Sequence, residues 1–358
     1  MEIIKVVLTG GPCAGKTTAL NSIKEYLRGK DIPFITVPET ATELILSSMK
    51  CEEKLIYMFQ SLVLRKQLSK ESIAKDYAES FYDFCDKCII IYDRGILDNK
   101  AYLTNKSDFS KLLAKYNLTE IDTIDEYDLV LDLLSLATCK REAYNLLNKA
   151  RTESPEVATY LDSETSLAWV NHRNLRVIDS SVSLEEESEI ILNYIKELLN
   201  GKQEKKVRKF LVDDRLSNYD IYDSSNSGKL YVTDYILEGD DDKYNYVLSK
   251  REYNYDTSYV YSIYNECDGK VTMIENRKIT NDEYYKLLNK YNILDKIERK
   301  EINFISNRHK HRLCFYEDYT VLEVEENNLD NELIFPDNLE IIKEITKENG
   351  MLKVRKLR

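Results

Sequence analysis

The sequence lacks a long apolar run, a surplus of basic residues and a paired set of cysteines. No apolar run approaches the roughly 18 residues that a membrane-spanning helix requires, so we expect no membrane span. The 51 Lys+Arg against 63 Asp+Glu give a net charge of -12, which argues against nonspecific coating of nucleic acid. The seven cysteines are scattered and odd in number, and they predict a reducing, cytoplasmic compartment rather than a disulfide framework.

A glycine-rich loop follows an apolar run near the start of the chain. The run from Ile3 to Leu8 predicts a buried strand, and it begins so early that we expect no signal peptide. The next residues, Gly10 to Thr17, fit the phosphate-binding motif G-x-x-x-x-G-K-[ST], and an amphipathic helical pattern follows them. This order of strand, loop and helix separates the motif from a chance match. The residues predicted to bind nucleotide are Gly10, Gly11, Pro12, Cys13, Ala14, Gly15, Lys16, Thr17 and Thr18.

Each residue type in this loop has a physical role. Glycines let backbone N–H groups close around phosphate oxygens, and the helix N-terminus contributes the positive end of its dipole. Lys16 is expected to reach the β- and γ-phosphates, and the Thr17 hydroxyl is expected to bind magnesium. The loop therefore predicts a nucleotide-binding site with Mg²⁺ and ATP or GTP.

Strand and helix patterns alternate up to about residue 200, which predicts a parallel sheet covered by helices. Glu39 follows the short strand 34–37, and Asp93 and Arg94 follow the apolar strand 88–92. Carboxyl ends of parallel strands meet at one edge of the sheet, where ligands bind. Asp93 is thus a candidate magnesium ligand, and Glu39 is a candidate general base for an acceptor hydroxyl.

A basic helical stretch from Cys139 to Glu153 interrupts two predicted strands. It carries Arg141 and Arg151, and such an insertion suits a lid whose arginines close over the transferring phosphate. The alternative is a solvated helix face, because most charge runs lie at the surface. We select Arg151 as the candidate catalytic arginine.

The first 200 residues resemble the NadR/TRPL-translocation-defect class of P-loop domains. The resemblance rests on the loop, on Val37-Pro38-Glu39, on the run from Asp93 to Asp98, on the run from Ala150 to Pro155, on Asp162, on the run from Trp169 to His172, and on Val177-Ile178-Asp179. That class is similar to nucleoside and nucleotide kinases, and it also includes nucleotide switches. The resemblance implies an adenylate-kinase-like fold and phosphoryl transfer, with Glu39 as base and Asp93 and Arg94 in the site.

After a polar connector at 202–206, the pattern changes to short alternating segments that predict many strands and one helix, about 281–291. Such a pattern indicates an antiparallel barrel or a strongly curved sheet. We therefore predict an α/β P-loop domain over 1–201, a linker at 202–206 and a β-barrel domain over 207–358.

Alternating charges mark two of these predicted strands. In an extended chain Arg308, Lys310 and Arg312 share one face, and Glu323 and Glu325 share one face of a later strand. Inward-facing cations and carboxylates describe a polar barrel interior that holds a polyphosphate with its metal. The alternative, equally compatible with these residues, is a basic edge strand and an acidic solvent face.

The second half resembles the CYTH, or triphosphate tunnel, domain in segments 207–212, 231–237, 275–280 and 322–325. The resemblance adds Lys209, Arg251, Glu275 and Arg277 to the expected tunnel ligands. The family's opening motif, E-x-E-x-K, keeps its lysine here as Lys209, but Lys205 and Val207 stand at its glutamates. This loss argues against triphosphatase turnover. It favours a tunnel that binds a nucleotide, an inorganic polyphosphate or an inositol phosphate.

These observations lead to a principal hypothesis and two alternatives. The first is magnesium-dependent phosphoryl transfer from ATP or GTP in the P-loop domain, beside a tunnel that binds a polyphosphate or another phosphorylated small molecule. The second is a nucleotide-dependent regulatory switch whose barrel senses a phosphorylated ligand. The third, triphosphatase activity in the tunnel, is disfavoured by Lys205 and Val207.

Overall fold

A computed structural model of the chain describes residues 1–49, 52–139, 154–215, 217, 219, 228–267, 270–326, 333 and 335–347. The chain divides into two compact units, Met1–Ile195 and Lys196–Arg358. Within the described ranges, no helix combines the length and the apolar composition needed to cross a membrane.

The first unit contains a five-stranded parallel sheet with strand order β2-β3-β1-β4-β5. This sheet and its helices confirm the predicted α/β P-loop fold class. The strands are β1 (Glu2–Thr9), β2 (Phe34–Val37), β3 (Lys87–Asp93), β4 (Leu129–Leu133) and β5 (Leu175–Ile178). The helices are α1 (Lys16–Gly29), α2 (Thr40–Leu46), α3 (Ile56–Glu79), α4 (Asp98–Ala101), α5 (Asp108–Ala114), α6 (Glu120–Ile124), α7 (Leu136–Cys139), α8 (Pro155–Trp169) and α9 (Leu184–Leu199).

Apolar runs form the centre of this sheet. The run Cys88–Ile91 in β3 is fully buried, as a strand covered on both faces requires. Strand register decides which residues are neighbours at the carboxyl end of β1. Leu8 lies beside Asp93 in β3, and Thr9 lies beside Asp132 in β4. The strand that leads into the P-loop therefore has a carboxylate next to it on each side.

Local capping signals fix where two of the helices begin. Ser154 accepts a hydrogen bond from the Val157 N–H, and Pro155 occupies the first helical position of α8. Ser183 accepts one from the Glu186 N–H at the start of α9. Ser183 therefore caps the N-terminus of α9.

The second unit is a closed antiparallel barrel, which confirms the predicted class. Its strands run in the order β10-β9-β8-β7-β11-β12-β13-β6, and a further pairing of β10 with β6 closes the ring, while β14 joins the outer edge of β6. The strands are β6 (Gln203–Val212), β7 (Gly228–Leu237), β8 (Asn245–Tyr253), β9 (Asp256–Cys267), β10 (Lys270–Ile279), β11 (Ile293–Ser306), β12 (His309–Phe315), β13 (Thr320–Glu325) and β14 (Ile341–Glu344). Helix α10 (Asn281–Lys290) follows β10.

The stretch expected as a linker takes part in closing the barrel. Residues 203–206 belong to β6 and pair with 270–273 of β10, with Lys205 opposite Val271. This differs from the sequence expectation because the run Gln203-Glu204-Lys205-Lys206 has no β-branched residue. Its strand conformation comes from a partner strand that is distant in sequence.

The barrel buries apolar side chains mainly on its outer face. Phe210, Leu313, Leu322 and Val324 pack with Leu339, which lies in the segment before β14. A second outer cluster packs Leu248 and Ile279 against Tyr284 of α10, among other residues. Alternation along the strands then turns polar residues towards the interior.

We expect Ile90→Ala to destabilise the first unit by about 2–5 kcal/mol, because Ile90 is 0% exposed in β3 and truncation leaves a cavity. Urea denaturation followed by fluorescence measures this unit, since the single tryptophan, Trp169, is buried in it. The matched control is Ile45→Ala at a side chain that is 51% exposed, with an expected change within about 0.5 kcal/mol. Equal losses for both variants would contradict the assignment of β3 to the core.

Candidate functional site

The backbone of the P-loop requires glycine at two positions. Gly10 has φ 130°, and a Cβ there would lie 2.0 Å from the Leu133 carbonyl oxygen. Gly15 has φ 76° immediately before α1. Cys13 also has a positive φ, 61°. These conformations form the curved loop that turns N–H groups towards an anion.

Lys16 lies folded back on the loop. Its Nζ donates to the carbonyl oxygens of Gly10 and Gly11, each at 2.9 Å. Burial lowers the pKa of Lys16 to about 8, and the Arg94 guanidinium acts in the same direction. A bound phosphate would raise this pKa again, because its negative charge stabilises the ammonium form.

Thr17 and Asp93 fit a magnesium ion chemically. Asp93 Oδ1 is buried and has no hydrogen-bond partner among the described residues, which leaves a lone pair available for a cation. Burial also raises the pKa of Asp93, an effect that a bound cation opposes. The Thr17 side chain is exposed at the start of α1. Oxygen donors of this kind are the ligands that Mg²⁺ prefers.

Glu39 and Arg94 form an ion pair at the carboxyl edge of the sheet. Glu39 Oε1 accepts from Arg94 Nε at 2.6 Å, and its Oε2 accepts from the Thr42 hydroxyl at 2.6 Å. Burial by itself would raise the pKa of Glu39, yet Arg94 and Thr42 hold it at about 2. The guanidinium also lies over the Tyr102 ring, 5.5 Å from its centroid. Glu39 is therefore a fixed negative charge at neutral pH.

Asp98 connects this ion pair to the P-loop strand, and sequence reasoning gave it no role of its own. The side chain is 2% exposed. Its carboxylate accepts from the Thr9 hydroxyl, from Arg94 Nη1 at 3.1 Å, from the Gly95 N–H at 2.9 Å and from Trp169 Nε1 at 3.1 Å. The signal available in the sequence was its spacing, four residues after Arg94 at the start of a helix.

Asp162 holds the other side of the loop. Its Oδ1 accepts from the Gly11 N–H at 2.8 Å, and both oxygens accept from the Ser135 N–H at 3.0 Å. The Ser135 hydroxyl in turn donates to the Pro12 carbonyl. Helix α8 and the β4–α7 turn thereby fix the first half of the P-loop.

Asp132 is a fully buried carboxyl group at the end of β4. Neither of its oxygens has a partner with hydrogen-bond geometry in the described part of the chain, although the Ser166 hydroxyl lies near enough to favour the charged form. Burial and the Asp162 carboxylate raise the pKa of Asp132 to about 8. This group is therefore protonated at neutral pH.

His172 and Trp169 have structural contacts. The His172 ring bonds the Tyr127 carbonyl oxygen at 2.8 Å through Nε2 and the Asn174 N–H at 3.2 Å through Nδ1. Trp169 packs edge-on against Tyr127 and His172. Both ring nitrogens of His172 are therefore used in holding this part of the fold together.

The predicted lid arginine, Arg151, lies outside the described residues, as do Arg141, Lys140 and Lys149. Its role stays a prediction.

The barrel interior contains a buried ion-pair network centred on Arg299. This guanidinium donates to Asp234 Oδ2 at 2.6 Å and to Glu301 Oε1 at 2.7 Å. Burial opposes the charged form of Glu301, but Arg299 and other guanidinium groups hold its pKa at about 2. Burial and nearby guanidinium groups also lower the pKa of Arg251 to about 10.

A second group of ion pairs continues the network towards β6 and β13. Arg312 and Lys209 bind Glu323, and Lys209 also binds Glu266. Lys205 contacts both oxygens of Glu325, at 3.1 and 3.2 Å. We call the whole set the interior cluster; it consists of Lys205, Lys209, Asp234, Arg251, Glu266, Arg299, Glu301, Lys310, Arg312, Glu323 and Glu325.

Three predicted tunnel ligands lie elsewhere. A bulge between Met273 and Glu275 shifts the alternation of β10, so Glu275 and Arg277 lie on the outer face. There they bind each other, and Arg277 also binds Glu283 of α10 at 2.7 Å. Arg308 lies in the turn between β11 and β12 with φ 66°, not in an extended strand.

Sequence reasoning missed Lys205, Asp234, Glu266, Arg299 and Glu301. Arg299 and Glu301 are two residues apart on the same side of β11, so alternation was an available signal for this pair. No sequence signal marked Asp234 or Glu266 as an interior residue, because a single carboxylate in an alternating strand normally faces solvent.

Fold and site together define a P-loop nucleotide-binding domain followed by an eight-stranded antiparallel barrel of the form expected for a tunnel domain. The sequence matches the AAA domain family over residues 5–187, just over half of the chain, and the protein belongs to that family.

Several solved structures are similar in part. A deoxyadenosine kinase from M. mycoides with bound dATP is 16% identical, with 54% of this chain and 99% of that chain aligned and a TM-score of 0.40. The inorganic triphosphatase NE1496 is 15% identical, with 43% and 95% aligned and a TM-score of 0.30. The PH1819 protein from Pyrococcus horikoshii is 12% identical, with 36% and 79% aligned and a TM-score of 0.29. These scores are too low to carry a functional argument, and no curated protein matches the chain significantly.

We expect Asp132→Asn to stabilise the first unit increasingly as pH rises. The folded pKa of Asp132, about 8, lies above its ordinary value of 3.8, so the wild type loses stability as pH rises between these values. The advantage of the variant should grow by up to about 1.4 kcal/mol per pH unit. Urea denaturation followed by Trp169 fluorescence at about pH 5 and about pH 8 measures it.

The matched control for this experiment is Asp76→Asn, at an exposed aspartate on α3, where we expect the free energy of unfolding to change by no more than about 0.5 kcal/mol. A constant difference between Asp132→Asn and wild type across this pH range would contradict a neutral Asp132.

Proposed function

We propose that the P-loop unit transfers a phosphoryl group from ATP or GTP, with magnesium, to a hydroxyl group of an acceptor. The observation that carries the proposal is the partly buried Glu39–Arg94 ion pair at the carboxyl edge of the P-loop sheet. A site that only binds nucleotide gains nothing from a further carboxylate, since negative charge near the phosphates weakens binding.

The residues have distinct roles in this proposal. Loop N–H groups and Lys16 hold the phosphates. Thr17 and Asp93 would hold magnesium, which neutralises charge that develops on the transferred group. Arg151 is retained as the arginine that closes over this group.

Glu39 accepts the proton of the acceptor hydroxyl, and Arg94 keeps the carboxylate charged and oriented. A pKa of about 2 makes Glu39 a weak base. Weak basicity is compatible with phosphoryl transfer, because in a loose transition state the proton leaves late, when the forming P–O bond has made the acceptor hydroxyl strongly acidic. The Thr42 hydroxyl occupies Glu39 Oε2 at 2.6 Å, and an acceptor hydroxyl would replace it there.

Phosphorus NMR with magnesium, ATP or GTP and a panel of nucleosides, nucleotides and nicotinamide riboside tests this proposal. We expect a new phosphoester signal whose rate of formation falls ~10²-fold or more in Lys16→Ala. Glu39→Gln should lower the rate ~10²–10⁴-fold while nucleotide affinity is retained.

Glu25→Gln, on the exposed side of α1, is the matched control and should leave the rate unchanged. Bound nucleotide without a phosphoester product on any acceptor would reject transfer and support a nucleotide-dependent switch. An unchanged rate in Glu39→Gln would reject Glu39 as the base.

We further propose that the barrel binds a phosphate-bearing anion. The interior cluster buries many charges, and buried ion pairs contribute little stability compared with an apolar core of the same size. Their presence is therefore better explained by a charged ligand than by folding. Cations outnumber carboxylates in the cluster, which indicates that the ligand is an anion.

Arg251→Gln should weaken the binding of tripolyphosphate about tenfold or more, because it removes a buried guanidinium that is 3% exposed. Isothermal titration of a Lys16→Ala chain isolates the barrel from the P-loop. The matched control is Arg208→Gln, whose side chain binds Glu344 on the outer face. Equal affinity in both variants would reject the interior cluster as the binding site.

A further inference from the structure

Every carboxylate of the interior cluster already has a cationic partner. Asp234 and Glu301 bind Arg299, Glu323 binds Arg312, Glu266 binds Lys209, and Glu325 binds Lys205. A divalent ion needs carboxylate oxygens that are free to approach it at about 2.0–2.6 Å. Among the described residues, no group of three or more His, Cys, Asp or Glu is arranged to hold a metal ion.

Lys205 is the cationic partner of Glu325 inside the barrel. Its strand, β6, lies between β10 and β13, and Lys205 follows the alternation of Lys209 towards the interior. The ammonium lies 3.1 and 3.2 Å from the two oxygens of Glu325. The Lys205 side chain is only 14% exposed. Both oxygens of the Glu325 carboxylate are therefore already paired with an ammonium group, which opposes the approach of a divalent ion.

Hydrogen-bonding capacity for an anion lies beside Arg251. Ser258 is the register partner of Arg251 across β8 and β9. The Ser258 side chain is 0% exposed, and its hydroxyl has no hydrogen-bond partner in the described ranges. A buried hydroxyl without a partner costs free energy unless a ligand satisfies it. A guanidinium next to such a hydroxyl suits a phosphate oxygen.

We propose that the barrel interior binds its phosphate-bearing anion directly on arginine and lysine side chains, without a bridging divalent metal, and that Lys205 takes the place of that metal. This inference rests on the anion-binding role proposed above for the barrel. The ligand class is a polyphosphate or a phosphate monoester that does not carry its own metal.

Isothermal titration of the Lys16→Ala chain with sodium tripolyphosphate tests the inference. One arm contains EDTA, and the other contains manganese or magnesium. We expect binding in EDTA that added metal does not strengthen by more than about twofold, because ammonium and guanidinium groups supply the binding charge and tripolyphosphate itself chelates part of the metal. Binding that requires the metal would overturn the inference, but the proposal that the barrel binds a phosphate-bearing anion would still hold. An absence of binding in both arms would instead reject the barrel ligand itself.

The variant Lys205→Glu tests the role of Lys205 directly in the same titration. It should weaken binding in EDTA about tenfold or more, and manganese should restore it, since two neighbouring carboxylates then accept a metal. The matched control is Lys206→Glu on the same strand, where the exposed side chain faces outward and affinity should not change. An unchanged affinity in EDTA for Lys205→Glu would reject the role of Lys205.

A third variant keeps the test possible if Lys205→Glu does not fold. If circular dichroism shows that Lys205→Glu is unfolded, Lys205→Met removes the charge with similar volume. It should bind more weakly in EDTA without recovery in manganese. Full affinity for Lys205→Met would likewise reject the role of Lys205.

Discussion

Hydrogen bonds to the buried Asp98 carboxylate join the parts on which the P-loop site depends. Four donors converge on it from the end of β1, from Arg94, from Gly95 and from Trp169 of α8. Arg94 has a φ of 70°, a conformation that a non-glycine residue adopts only when its surroundings fix it. The Glu39–Arg94 pair therefore depends on Asp98, and so does its position relative to the P-loop strand.

In the barrel, unlike in the first unit, most buried charges lie in the interior and much of the apolar packing lies on the outer face. Two apolar clusters lie on the outer face, under the segment before β14 and under α10, while the interior holds most of the buried charges and a smaller apolar cluster of Ile236, Val247 and Ile297. A barrel whose interior served only folding would place apolar side chains there, because desolvation of paired charges offsets their attraction. The outer clusters stabilise the barrel, and the charged interior is the part for which we propose a phosphate-bearing ligand.

Much of this architecture was predictable from local pattern. The phosphate-loop motif and the apolar runs identified β1, α1 and β3, and the alternating segments of the second half predicted the antiparallel barrel that the structure contains. Errors occurred where long-range pairing overrides local sequence. The bulge after Met273 moved Glu275 and Arg277 to the outer face, and the polar stretch at 203–206 became a strand because β10 pairs with it.

The sequence alone determined the P-loop, since its glycines, Lys16 and Thr17 act through local backbone geometry within one turn. It also determined the two fold classes, because hydrophobic period distinguishes helix from strand. Only the tertiary structure decided which charges meet. The contacts of Asp98 with Trp169 and of Lys205 with Glu325 join residues far apart in the chain, and strand register and helix packing, not spacing, bring them together.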